Sequence, residues 1–202
     1  MKQTGPNLKS RDNTVAEDAY DWGLIRRIAQ RDQKAFEALY RRHYDYLYRF
    51  IYQITRRLDG IEAVINEVMF VVWEKAATAE PRALASTWIL AIAHRKALKS
   101  LSRSGATVES VEDDDPRFSD GGEAVAALET ENLLFSALQH LSPEQRAVLE
   151  LVYYHGLHYS EIATILDCPE NTVKTRIFHA RRKLRTVWPA LTGGGAIRDH
   201  ET

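Results

Sequence analysis

The side chains with most to offer chemically are basic and lie close together. Between Pro169 and Trp188 stand Lys174, Arg176, Arg181, Arg182, Lys183 and Arg185 against one acid, Glu170, a net charge of +5. Lys and Arg at this density neutralise phosphate, and either can donate to the edge of a guanine. Thr172, Thr175 and His179 add hydroxyls and an imidazole to the same run. The bland alternative is a solvated basic helix face in an ordinary bundle. Other constellations are incomplete. His155-x-x-His158 with Cys168 nearby lacks a fourth ligand and regular spacing, so structural or solvent-exposed histidines are expected there rather than a metal site. Asp113, Asp114 and Asp115 have neither the ligand spacing nor the Gly of a calcium loop. There is no Gly-rich phosphate loop, no Gly-x-Ser-x-Gly and no carboxylate pair on a rigid element. No catalytic residue, cofactor or metal is expected, and no enzyme.

The elements that must position the basic run are helices. Tyr159–Leu166 and Glu170–Arg185 read as two short helices joined by Asp167-Cys168-Pro169. Small Ala163 permits a close crossing, and Asp167 tolerates the left-handed backbone of a tight turn. Ile162, Ile165, Leu166, Val173, Ile177 and Leu184 supply the inner faces. This is the pattern of a helix-turn-helix whose second helix enters a major groove N-terminus first. Upstream, Ser142-Pro143-Glu144-Gln145 is a helix start with Ser as N-cap, Pro at N1 and Gln closing a capping box; that helix runs to about Tyr154 and ends at Gly156. Nearer the N-terminus, Phe36, Leu39, Tyr40, Leu47, Ile51 and Ile54 mark one face of a helix of about 25 residues. Leu58-Asp59-Gly60 breaks it. Ile61, Val64, Ile65, Val68, Val72 and Trp73 form a second stripe, and a third helix is expected to start at Ser86 or Thr87 with Trp88, Ile89, Ile92 and Leu101 inward.

The predicted fold is all-α: an N-terminal helical bundle and a C-terminal helix-turn-helix domain joined by a flexible acidic linker. The expected boundaries are a disordered N-terminus over 1–20, a first domain over 21–102, a linker over 103–122, a second domain over 123–190 and a loose tail over 191–202. Composition supports the division. The chain has 202 residues, 45% hydrophobic and 27% charged, enough for a core and too apolar for wholesale disorder. The net charge of −1 hides segregation, for Arg103–Asn132 carries nine acids and two bases, which leaves +6 elsewhere. Such asymmetry suits a polyanion-binding surface beside a solvated acidic tether. One cysteine excludes an internal disulfide. With no signal-like N-terminus and no apolar run long enough to span a bilayer, a cytoplasmic protein without membrane insertion is expected.

Leu141-Ser142-Pro143-Glu144-Gln145-Arg146 through Leu184 closely resembles region 4 of the bacterial extracytoplasmic-function (ECF) sigma factors, the small two-domain members of the sigma-70 family. The first domain resembles their region 2. Ala35-Phe36-Glu37-Ala38-Leu39-Tyr40 resembles its opening, and Asn66–Trp73 the helix that docks on the polymerase clamp. Trp88-Ile89-Leu90-Ala91-Ile92-Ala93 resembles the segment that melts and reads the −10 element. The likeness covers about Asp21–Arg185. It implies a subunit that binds core RNA polymerase and directs it to promoter DNA, with an anti-sigma factor as a further partner. The implied −35 readers are Thr172, Lys174, Thr175, Arg176, His179, Arg181 and Arg182. The −10 face is assigned to Arg82, Ser86, Trp88, Arg95 and Lys96, and the polymerase face to Asn66, Glu67, Phe70 and Trp73, with Val68 supporting from behind.

Several positions depart from the family pattern. Ala63 replaces a usual acid, Arg95 a usual Asn and Lys99 a typical Asp, so the −10 face is more basic and the family's base preferences do not carry across. In region 4, Asp167 takes the place of the turn's usual Gly and His158 that of a hydroxyl N-cap; neither breaks the motif. The alternative is a stand-alone helix-turn-helix regulator whose N-terminal bundle dimerises or binds an effector. A sigma mimic that titrates an anti-sigma factor is a third reading, and the intact basic helix speaks against it.

Overall fold

The computed structural model describes residues 11–104, 133–134 and 136–191, and among them all regular structure is helical. Helix α1 spans Arg11–Ala29, α2 Gln33–Thr55, α3 Ile61–Lys75 and α4 Ala85–Ser104. After the acidic stretch come α5 (Pro143–Leu149), a π-helical turn (Glu150–Tyr154), α6 (Tyr159–Leu166) and α7 (Glu170–Leu191).

The first four helices form a bundle around the stripes that the sequence marks. Asp32 caps α2, its carboxylate accepting from the Lys34 and Ala35 amides at 2.9 and 3.1 Å. Leu39, Leu47, Phe50, Ile51 and Ile54 of α2 are fully buried against Ile65, Val68 and Val72 of α3 and Ile89 and Leu90 of α4. Each such side chain contributes about 1.5–3 kcal/mol by leaving water. Helix α2 ends at Arg56, whose left-handed backbone (φ 54°) turns its amide onto the Tyr52 carbonyl, and Gly60 (φ 83°) admits α3. The break thus begins two residues before Leu58.

Two expectations, one at the N-terminus and one at the start of α4, are corrected. Residues 11–20 are helical, not disordered, while residues 1–10 lie outside the described residues. The stretch has no apolar period of its own and is held by polar contacts to distant residues. Asp18 accepts the Ala85 amide at 2.6 Å, and Arg42 meets Glu17 at 3.9 Å and Asp21 at 2.7 Å. The same contact corrects the start of α4. The helix begins at Ala85, and its cap is the Asp18 carboxylate from α1 rather than Ser86 or Thr87. At the other end α7 runs to Leu191, past the expected Arg185, with Pro189 inside it. The linker beyond Ser104 and the tail from 192 lie outside the described residues.

The second half packs directly on the first, α5 against α2 and α6 against α4. Arg146, buried in α5, reaches the C-terminus of α2. Its Nε donates to the Gln53 carbonyl and Nη2 to that of Ile54, both at 2.7 Å, while Nη1 donates to Leu141 O at 2.6 Å. Those α2 carbonyls belong to the last turn, where a helix has no partner for them. Burial draws the Arg146 guanidinium down to about 10, with Arg56 adding to the shift, so it stays charged at neutral pH. Beside it Arg49 donates through Nε to buried Glu150 at 2.7 Å and stacks over the Tyr154 ring at 3.7 Å.

Candidate nucleic-acid interface

The basic run is held by α6, a three-residue turn and α7. Ile162, Ile165 and Leu166 bury one side of α6, and Val173, Ile177 and Ala180 bury one side of α7. Asp167 adopts the left-handed conformation (φ 51°) and its amide, with that of Cys168, points back to Ala163 O. Pro169 O then accepts the amides of Thr172 and Val173 and starts α7. His158 precedes α6 in extended backbone, and its amide donates to the Glu161 carboxylate at 2.8 Å. The α5 capping box is complete, Ser142 Oγ accepting from Gln145 N at 3.3 Å and Gln145 Oε1 from Ser142 N at 3.1 Å.

With Val173, Ile177 and Ala180 inward, the opposite side of α7 carries Asn171, Thr175, Phe178 and Arg182 at i, i+4, i+7 and i+11, all exposed. Lys174, His179 and Arg181 are exposed beside that line, and Thr172 and Arg176 are half-buried at its margin. Arg176 leans on the turn, Nη1 lying 3.7 Å from Cys168 Sγ. Arg181 donates to the Tyr153 hydroxyl, from Nε at 2.7 Å. Arg182 stacks over Phe178 with 5.9 Å to the ring centroid. Lys174 pairs with Glu170 at 2.8 Å. The surface is therefore a row of cations flanking one amide, hydroxyls and an aromatic ring, suited to phosphates on either side of a groove and to base edges within it. Asn171 and Phe178 were not among the expected site residues; their positions four before and three after Thr175 are the signal that sets them on the same line. Phe178 is 62% exposed, its ring facing away from the buried side of the helix.

The first half carries two further surfaces. On α3, Asn66, Phe70 and Trp73 share a line at i, i+4 and i+7. Phe70 is 59% exposed and Val68 is buried behind it. Tyr40 donates to Asn66 Oδ1 at 2.9 Å, and Trp73 stands half-buried against Phe36 (5.3 Å, edge-on) beneath Arg31. Glu67 sits apart from this line, toward α4, bound by Lys96 Nζ and Arg103 Nη2 at 3.1 Å each. Those hydrogen bonds hold its carboxyl below the usual range. The structure thus joins Lys96 and Glu67, which sequence reasoning assigned to separate faces. Arg82 and Arg95 are exposed, Arg82 pairing with Glu80 at 2.5 Å, and Ser86 is half-buried. Trp88 stacks on buried Trp22 at 6.1 Å, and Trp22 donates to Ala83 O at 3.2 Å. That pairing anchors α1 on α4.

His158 is exposed, whereas the His155 imidazole is 1% exposed and packs on Tyr46 at 4.1 Å. Among the described residues no three His, Cys, Asp or Glu side chains are grouped as metal ligands. Asp113, Asp114 and Asp115 lie outside them. No described helix is long and apolar enough to cross a membrane.

Residues 39–107 match the sequence profile of sigma-70 region 2, and residues 131–184 match that of sigma-70 region 4. An ECF RNA polymerase sigma factor SigK of Mycobacterium sp. (strain JLS) is 30% identical over 173 residues, covering 80% of this chain and 87% of that protein. The ECF RNA polymerase sigma-E factor of Haemophilus influenzae is 27% identical over 182 residues, 84% of this chain and 96% of its own. In fold, the chain is similar to CnrH, solved in complex with the cytosolic domain of CnrY (TM-score 0.63, 23% identity, 85% of this chain and 98% of that one). It is also similar to the sigma factor RpoE of Bartonella quintana, solved with the anti-sigma factor NepR (TM-score 0.56, 20% identity, 73% and 90%).

Proposed function

The chain belongs to the sigma-70 family, in its extracytoplasmic-function group, and from that premise we propose how its halves divide the selection of promoters. It binds core RNA polymerase, directs it to promoters through the −10 and −35 elements and initiates transcription. Residues 123–190 read the −35 element through α7, and 21–102 dock on the polymerase and open the −10 element. The observation that carries the first assignment is the outward line Asn171, Thr175, Phe178, Arg182 flanked by Lys174, Arg176, His179 and Arg181. Asn suits an adenine edge, Arg a guanine edge and a phenyl ring a thymine methyl, while the flanking cations fix register on phosphates.

Asn66, Phe70 and Trp73 are the polymerase contacts, with Glu67 orienting the face through Lys96 and Arg103. Arg82 and Arg95 attract the −10 strands, and Trp88 supports them from its seat on Trp22. The chain supplies recognition and strand opening; nucleotide addition belongs to the polymerase. It acts in the cytoplasm, where polymerase and DNA are. An anti-sigma protein silences it, a reading supported by the likeness to the sigma factor RpoE, which was solved with the anti-sigma factor NepR.

The deciding experiment is transcription in vitro with purified core polymerase, this chain and a genomic promoter library. Enrichment of templates sharing two spaced elements is expected. Operator binding by the chain alone, with no specific initiation by the polymerase, would replace this reading with that of a stand-alone regulator.

A further inference from the structure

Two histidines that neither half uses for recognition are buried in the seam between the halves. His155, at the end of the π-helical turn, is inserted against α2, its ring 4.1 Å from Tyr46 and 6.1 Å from Phe50, with Tyr154 at 5.0 Å. Neither ring nitrogen has a hydrogen-bond partner among the described residues. The charged groups about it are Arg49 of α2 and Glu150 of the π turn. Glu150 Oε1 is 3.9 Å from Nε2 but already takes Arg49 Nε at 2.7 Å. His94 lies buried on α4, which packs on α6, and its Nε2 also has no partner among the described residues. The charges acting on it are Arg176 of α7, Glu144 of α5 and its neighbour Arg95.

We propose that the chain closes its two halves on each other without any partner, through the Arg146 and Arg49–Glu150 contacts, and that proton uptake by His94 and His155 releases the closure. A neutral imidazole fits such a seam as a flat, nearly apolar plug. At His155 an imidazolium would have to share with Arg49 the Glu150 oxygen that Arg49 already holds, and both rings stand beside guanidinium groups, so in a seam without water the charged form is expelled. Separation of the halves exposes both rings to water and restores ordinary basicity.

The sign follows from proton binding. Burial, with Arg176 assisting, pushes His94 down to about 4, and burial, with Arg49 assisting, pushes His155 down to about 3. The closed form therefore binds fewer protons than the open one, so closure is favoured as pH rises and weakens as pH falls below about 6.5, the value for a free imidazole. Between about pH 7.5 and about 5.5 each ring shifts the open-to-closed ratio about tenfold, and both together about a hundredfold. Glu150 acts in the opposite sense, because burial raises its carboxyl; Arg49 counters that rise, and one carboxyl opposes two imidazoles.

The test is small-angle X-ray scattering with circular dichroism on the full chain over that pH range. A compact particle near pH 7.5 that expands near pH 5.5 with unchanged helicity is expected. The double variant His94→Gln/His155→Phe, which keeps ring or amide volume but takes up no proton, should stay compact throughout. An already extended particle near pH 7.5, expansion accompanied by loss of helix, or equal expansion in the double variant would overturn the proposal. If the double variant misfolds, His155→Phe alone should show about a tenth of the wild-type shift in the open-to-closed ratio, and a full shift would overturn it. These readouts need neither polymerase nor DNA, so they stand or fall separately from the proposed function.

Discussion

Arg182 and Arg176 are both arginines of α7, yet their surroundings separate them. Arg182 lies exposed on the outward line with its guanidinium over the Phe178 ring, whereas Arg176 is half-buried with its guanidinium turned to Cys168. Arg182→Ala should weaken −35 binding by about 1–3 kcal/mol and relax preference at one base pair. Fluorescence anisotropy against a panel of singly substituted duplexes measures this; equal loss on every duplex would make Arg182 a phosphate contact instead. Phe70→Ala should lower affinity for core polymerase while changing stability by no more than about 0.5 kcal/mol, because so exposed a ring contributes little to the core. Titration against core enzyme together with thermal melting checks both parts. The exposed face of α7 was legible because a buried side at regular spacing fixes where every other side chain points. Glu67 was not, because its partners Lys96 and Arg103 come from 29 and 36 positions away, beyond any helical period.

At the scale of elements, α2 and α3 followed from apolar periodicity, and α5 from the Ser142 and Gln145 capping signature. Caps supplied from a distance were invisible for a physical reason: the carboxylate that starts α4 belongs to α1, 67 residues upstream. The hydroxyls of Ser86 and Thr87 looked like the start because they stand locally where a cap belongs. Asp18→Ala should cost about 1 kcal/mol, the usual worth of an N-cap, and should loosen α1 together with α4. Hydrogen exchange at the first amides of α4 would show it; protection equal to wild type would assign the cap elsewhere. The polar stretch 11–20 escaped notice for the same reason, since its order rests on Arg42 and Ala85 rather than on a stripe of its own.

For the whole molecule, the proposed promoter contacts and the described arrangement make opposite demands. Elements about 25 base pairs apart lie ~85 Å apart along B-DNA at 3.4 Å per pair. In the structure α6 and α4 touch. Residues 105–132 span at most about 100 Å when fully extended, which suffices for separation. Opening must therefore break the seam, and Arg49→Ala, which strands buried Glu150, should ease it by about 1–3 kcal/mol, discounted for the partial exposure of Arg49. Scattering at neutral pH should show a larger particle for this variant, and an unchanged one would remove the pair from the closure. The seam also has consequences for descent with modification. Arg146 grips the backbone carbonyls of Gln53 and Ile54, and a carbonyl persists whatever side chain stands on it. Position 53 is thus free to drift so long as position 146 does not. Arg49 and Glu150 meet side chain to side chain, so each can change only if the other follows. Among sister sequences this distinguishes a residue held fixed alone from two positions inherited as a couple.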